Sequence, residues 1–164
     1  MSEIAGEAQV AKGTFYLYYP SKEALIDAVY DYCQEKDVEA CDTGLAEIEG
    51  ATAKLCRRLE NAIHFALVHP NEAAIERMYL SSPARSGVGT SYVRQKRHFE
   101  SVDAVMREGV AKGELKDLPA ALLGEIFFSI GAAFYYYIIA NPNLADDAVL
   151  MEKAYQTVRD CLAR

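Results

Sequence analysis

Apolar residues recur every three or four positions along almost the whole chain, which is the spacing of amphipathic helices. Runs of alternating β-branched residues and Asn-Gly or Asp-Gly hairpin turns do not appear, so strands are not expected. The pattern predicts a short helix over residues 2–8, with Ile4 and Ala8 on one face, and a second over 12–18, coupled to it by AQVA. Ser21 follows Pro20 and precedes Glu23, a sound N-cap and first turn for a long helix. That helix is expected to reach Glu47 or Glu49. Its apolar stripe changes phase, from Leu25, Val29 and Tyr32 to Val38, Cys41, Leu45 and Ile48, which predicts a change of packing partner midway.

Gly50 separates it from a helix over about 51–68 with Leu55, Leu59, Ala62, Ile63 and Ala66 inward. Asn71 is expected to cap a short helix to about Leu80, and SSPARSGVG to form a loop. Residues 90–111 carry Tyr92, Phe99, Val102, Met106 and Val110 at helical spacing. Residues 119–140 are apolar nearly all round, and 146–162 carry a stripe of Met151, Tyr155, Val158 and Leu162. The predicted class is all-α. A small N-terminal helix-turn-helix head, residues 1–22, is joined by the long helix to a larger bundle, residues 23–164.

Residues 118–140 are almost long enough to span a bilayer. Glu125 interrupts them, however, and three adjacent tyrosines follow, so a buried interface helix is expected rather than a span. The net charge of −7 speaks against nonspecific coating of nucleic acid. Charge is neutral over residues 1–22, and acid concentrates over 23–60. Cys33, Cys41, Cys56 and Cys161 form no C-x-x-C pair, and no basic-then-apolar leader is visible. A reduced, cytoplasmic setting with free thiols is expected.

The stretch VAKGTFYLYYPSKEAL places four aromatics between two lysines, just ahead of a helix start. With the residues before it, IAGEAQVAKGTFYLYYPSKEAL resembles the helix-turn-helix of TetR-family transcriptional regulators at many fixed positions. These run from Ile4-Ala5, Glu7-Ala8 and Val10, through Lys12-Gly13-Thr14 and Phe15 to Tyr19, to Ser21-Lys22-Glu23 and Leu25. REGVAKGELKDLPAALLGEIF, residues 107–127, looks like the join of two late helices in the same family. The resemblance implies DNA contacts at Lys12, Gly13, Thr14, Tyr16, Leu17, Tyr18 and Lys22. A recognition helix needs an outward reading face and an apolar back. Phe15 and Tyr19 would pack inward against Ile4, Val10 and Leu25, while Gly13 would permit close approach to a phosphate or base.

The family's head has three helices, and this chain starts inside what matches the second. The expectation is a truncated chain or a late-assigned start, with the faces of Ile4, Val10 and Phe15 partly uncovered and DNA binding weak or the head mobile. Gln9 stands where the family usually has glycine, which predicts strain if that residue takes positive φ. Ala11 stands where a Ser or Thr N-cap is common. Basic residues are few in the head.

The resemblance further implies a homodimer through helices 119–140 and 146–162, a pseudo-palindromic operator in double-stranded DNA, and a small effector in the body. Candidate pocket walls are His64, Phe65, Met78, Tyr79, Tyr92, Phe99, Met106, Phe128 and Tyr135, pointing to an apolar or aromatic ligand; equally, these are core residues. The main reading is a ligand-responsive regulator, a repressor released from its operator by a small molecule. The alternative is a dimeric small-molecule-binding protein whose head does not bind DNA. Other constellations carry less. DTG at 42–44 has no second copy for aspartic-protease chemistry. Glu60 and His64 lack the further ligands of a di-metal bundle. GVG at 87–89 follows no strand, and RQKRH at 94–98 reads as a solvated helix face. No nucleophile–base pair marks an enzyme, and no metal or cofactor is expected.

Overall fold

The computed structural model describes residues 2–81, 96–145 and 147–164. Eight α-helices lie among the described residues: α1 Ser2–Glu7, α2 Lys12–Tyr18, α3 Lys22–Asp42, α4 Ala51–Val68, α5 Pro70–Ser81, α6 Lys96–Ala111, α7 Ala120–Ala140 and α8 Ala148–Leu162. The extended pairing among them is one isolated bridge between Leu115 and Ala163, so the all-α expectation holds. The bridge lets Lys116 N–H donate to Leu162 O at 2.9 Å and pins the α6–α7 turn to the chain's last helix.

Side chains cap three of the described helix starts, the one at Ser21 as predicted. Ser21 Oγ accepts from Ala24 N–H at 3.0 Å, and Asp147 Oδ1 accepts from Val149 and Leu150 N–H at 2.9 and 3.0 Å. The start of α4 is capped from a distance, Ala51 N–H donating to Glu114 Oε2 at 2.6 Å. α5 begins at Pro70, one residue before the expected Asn71 cap. Proline suits a first helical turn because its missing N–H would have had no intrahelical partner.

The long helix is shorter than expected. α3 stops at Asp42, and Leu45–Glu47 is a separate 3-10 turn. Gly44 takes φ of 74° there. Asn61 of α4 donates to Cys41 O and Thr43 O, both at 3.0 Å, so the carbonyls released by the break are satisfied from a neighbouring helix. The phase change in the apolar stripe, between Tyr32 and Val38, falls inside α3, and the helix ends only after it.

α4 is the central element and touches α3, α5, α6, α7 and α8. Leu55, Leu59 and Ile63 on it meet Val102 and Met106 of α6, Leu123 and Phe127 of α7, and Val158 and Leu162 of α8 in one apolar core. α7 turns Leu123, Phe127, Gly131 and Ile138 into that core, while Leu122, Tyr136 and Tyr137 stay exposed. It is long and apolar enough to cross a membrane by length and composition, yet one of its faces is core within this chain.

Two glycines differ in why they are there. A Cβ on Gly109 would lie 2.7 Å from both Ala51 Cβ and Leu115, whereas one on Gly131 would meet Leu59 at an ordinary 3.6 Å. Gly109→Ala is expected to cost about 1–3 kcal/mol by overpacking. Gly131→Ala should be neutral or stabilising by up to about 1 kcal/mol through helix propensity. Chemical denaturation of the two variants checks this contrast.

The head confirms both local weaknesses. Gln9 is the one non-glycine residue at positive φ among those described, at 55°, and Ala11 gives α2 no side-chain cap. Gln9→Gly and Ala11→Ser are each expected to stabilise the head by about 1 kcal/mol. Amide hydrogen exchange over residues 2–19 would register the gain.

Candidate functional site

The α1–α2 turn closes by backbone hydrogen bonds from Gln9 N–H to Gly6 O and from Val10 N–H to Ala5 O, at 3.1 and 3.0 Å. α2 then anchors through buried Phe15, whose ring lies 5.5 Å from that of Tyr19. Ile4 and Val10, expected to pack beneath it, are each 42% exposed. The opposite face is open. Leu17 is 83% and Tyr18 75% exposed, and Lys12, Gly13, Thr14, Tyr16 and Lys22 are exposed with them. All seven residues named from the sequence thus lie on accessible surface of one short helix and the start of the next. Gly13 costs helix propensity, yet a Cβ there would meet nothing within 4 Å. No packing inside the chain asks for glycine at that position.

α3 leads from this head into the body. Its second half meets α4, α5, α6 and α7 around a cavity of about 110 Å³. One wall is apolar, with Leu59, Phe127, Phe128 and Tyr135. The other is charged or polar: Asp37 and Cys41 from α3, Arg58 from α4, Glu76 and Arg77 from α5, and His98 from α6.

Arg58 organises that wall. It is 3% exposed. Its Nη2 donates to Ser101 Oγ at 2.7 Å and faces His98 Nδ1 at 3.2 Å, and its guanidinium stands 5.8 Å from the Phe128 ring centre. Its Nε lies 3.0 Å from Asp42 Oδ1, close enough for an ion pair but without the angles of a hydrogen bond. A guanidinium can only donate, so His98 Nδ1 accepts and Nε2 carries the ring hydrogen. Nε2 lies 3.4 Å from Asp37 Oδ2, within ion-pair distance but without the geometry of a hydrogen bond. Asp37 Oδ1 in turn accepts from Cys41 Sγ at 3.3 Å.

Asp37, Cys41 and His98 bring donor atoms of three metal-ligand types within 4.8 Å of one another. A metal-bound imidazole must donate its second N–H to an acceptor. Here the second nitrogen faces the Arg58 donor, so the arrangement favours this polar chain over a metal ion. Burial and the neighbouring Asp37 charge push the Cys41 thiol well up, which disfavours the thiolate that a metal would require.

Glu76 stands apart from that chain. Its Oε1 is buried without a hydrogen-bond partner among the described residues, as is Arg77 Nη1. Burial, then the Asp37 charge, raises its carboxyl to about 8. The Tyr135 hydroxyl is also raised, by burial and then by Asp37 and Glu76, against a smaller opposing effect of Arg77.

Of the pocket residues named from the sequence, Phe128 and Tyr135 line the cavity. Phe99 is buried one layer behind, its ring 4.4 Å from that of Phe128. Met106 is wholly core. Phe65 packs on the His69 ring at 4.7 Å, His64 is exposed, and Glu60 beside it pairs with Arg57 at 3.3 Å. Met78 is exposed, and Tyr79 stacks on Tyr30 at 3.7 Å. Tyr92 lies outside the described residues, as do the GVG loop and the first two residues of RQKRH. The sequence reading missed the charged wall. Its signal was a set of charged residues falling on otherwise apolar helix faces, Arg58 beside Leu59 and Asp37 four residues before Cys41.

Residues 1–29 match the family model of bacterial regulatory proteins, tetR family. The chain is 28% identical over 119 residues to the fatty acid metabolism regulator protein of Bacillus subtilis (strain 168), covering 71% of this chain and 60% of that protein. It therefore spans less than two thirds of that relative's length. A Shewanella sp. PV-4 protein assigned to the tetR family of transcription regulators superposes with a TM-score of 0.83 at 22% identity, over 99% of this chain and 86% of the other. The Bacillus subtilis regulator FadR, solved in complex with stearoyl-CoA, superposes with a TM-score of 0.69 at 23% identity, over 96% of this chain and 85% of the other. The fold, an N-terminal helical head on a larger helical body, is shared with these solved structures. Its head carries the TetR-family signature, as the sequence resemblance implied.

Glu76 gives a pH prediction. Its folded value, about 8, lies above its ordinary 4.5. The folded state thus holds a proton that the unfolded chain releases, and stability falls as pH rises from about 4.5 to about 8. Glu76→Gln should melt several degrees higher than the parent above pH 8, with the difference shrinking toward acid. Melting curves across that range provide the check.

Proposed function

We propose that the protein is a ligand-responsive transcriptional regulator, a repressor whose residues 1–22 read operator DNA and whose residues 23–164 bind an effector and dimerise. The observation that carries this reading is the path of α3. It begins at Lys22 beside the exposed face of α2 and ends with Asp37 and Cys41 in the wall of the body cavity. A ligand that shifts α3 at the cavity therefore moves the head. A coupling of roughly 1–3 kcal/mol changes DNA affinity about 5- to 150-fold.

Dimerisation is supported by the apolar surface left open on α7 and α8, where Leu122, Tyr136, Tyr137 and Val149 are exposed. A twofold pair through these helices would set two recognition helices about 34–36 Å apart on a pseudo-palindromic site. The related Bacillus subtilis regulator holds a long acyl thioester. The cavity here is small and charged on one wall, which favours a compact effector with a polar head. The setting proposed is the cytoplasm, and the role is regulatory rather than enzymatic.

Fluorescence anisotropy against DNA from upstream of the protein's own gene, at several salt concentrations, tests the reading. Specific binding that weakens with salt supports it. An absence of binding at low salt would favour a small-molecule-binding protein without a DNA role. Lys12→Ala is expected to weaken all DNA and to reduce the salt slope by about one. Gly13→Ala should stabilise α2 by up to about 1 kcal/mol yet reduce operator affinity, because the added methyl faces the DNA.

A further inference from the structure

Two carboxylates, Glu76 from α5 and Asp37 from α3, line one cavity with the aromatic rings of Phe128 and Tyr135 from α7. The other titratable and charged groups around Glu76 include Cys33 and Cys41 on α3, Arg58 on α4, Arg77 on α5, His98 on α6 and Tyr136 on α7. Most are committed elsewhere. Arg58 is held by Asp42, Ser101 and His98. His98 Nε2 lies 3.4 Å from Asp37 Oδ2, and Cys41 donates to Asp37 Oδ1. Arg77 is the cation left to weigh against the carboxylates. At the Tyr135 hydroxyl, Asp37 and Glu76 each act more strongly than Arg77 does. At Glu76, the charge that acts is that of Asp37. Once Glu76 ionises, two carboxylates face the one uncommitted guanidinium, Arg77, beside the aromatic wall, and Glu76 Oε1, like Arg77 Nη1, is buried and lacks a hydrogen-bond partner among the described residues.

We infer that this cavity takes a small ligand joining a protonated amine to an apolar or aromatic body, the ammonium between Glu76 and Asp37 and the body against Phe128 and Tyr135. An ammonium supplies the N–H that Glu76 Oε1 lacks and separates the two carboxylates by a cation. The rings offer electron-rich faces to the same charge. The cavity of about 110 Å³ is smaller than the roughly 150 Å³ that encloses benzene, so only part of such a ligand is enclosed. The inference rests on the ligand-responsive reading above and names the class of ligand for that cavity.

Ammonium binding ionises Glu76, so each binding event below pH 8 releases one proton. Affinity therefore rises with pH by up to tenfold per unit and levels off once Glu76 is already ionised, above about 8. A ligand that accepts a hydrogen bond from protonated Glu76 shows the opposite slope.

Calorimetric titration of the full chain with benzylammonium, benzyl alcohol and benzoate compares one ring with three head groups, at pH values below and above 8. The expected result is tightest binding for benzylammonium, tightening as pH rises, with proton release seen as a buffer-dependent heat. Glu76→Gln should weaken benzylammonium at least tenfold, remove the pH slope and leave benzyl alcohol unchanged; Tyr135→Phe, which keeps the ring, should retain the slope. Preferential binding of benzoate, or benzylammonium affinity that falls with rising pH, overturns the inference, as does failure of all three to bind. Operator binding by anisotropy is measured on the same preparation. DNA binding without amine binding rejects only the ligand class, whereas amine binding with no operator binding rejects the regulator reading and leaves the class standing.

Discussion

One buried guanidinium holds the body together. Arg58 sits on the central helix α4 and reaches Asp42 at the end of α3, His98 and Ser101 on α6, and the Phe128 ring on α7. A cation buried this deeply is tolerated only when its donors are met. Its Nη2 contacts with Ser101 and His98 and its pairing with Asp42 tie α4 to α6 and α3, although its Nε makes no hydrogen bond. The cavity is the space left on the inner side of this network.

That arrangement makes α3 a lever with both ends constrained. Near the head it starts from a capped serine one turn from the reading face of α2. At its far end, Asn61 and Arg58 of α4 hold the residues around its terminus. A helix anchored in this way transmits a displacement at Asp37 or Cys41 along its length, since its internal hydrogen bonds resist bending. The head has fewer fixed contacts of its own. Gln9 at positive φ and the uncapped start of α2 are local weaknesses of the head.

Much of this was legible in the sequence, and particular residues show why. The spacing of Leu55, Leu59 and Ile63, or of Val102 and Met106, identifies buried helix faces without any partner being known, because helical periodicity is local. Ser21 announced its helix for the same reason. Gln9 was readable as a strained turn because the family pattern has glycine there. The break after Asp42 was not readable, since it depends on Asn61, some twenty residues later, offering donors to the freed carbonyls. Among the pocket candidates, Phe128 and Tyr135 were found. His64, Met78 and Tyr79 were not cavity residues, because hydrophobicity alone does not distinguish a core side chain from a lining one.

The sequence by itself determined the all-α class, nearly every helix, the core stripe of each and the exposed residues of α2, since each depends on residues close together along the chain. The tertiary structure alone decided what the cavity is. Asp37, Arg58, Glu76 and His98 come from four different helices, and each reads separately as an ordinary surface charge. Their burial, their pairing and the one carboxylate left over arise only when those helices pack, because charge pairing and desolvation depend on distance in space rather than on position in the chain.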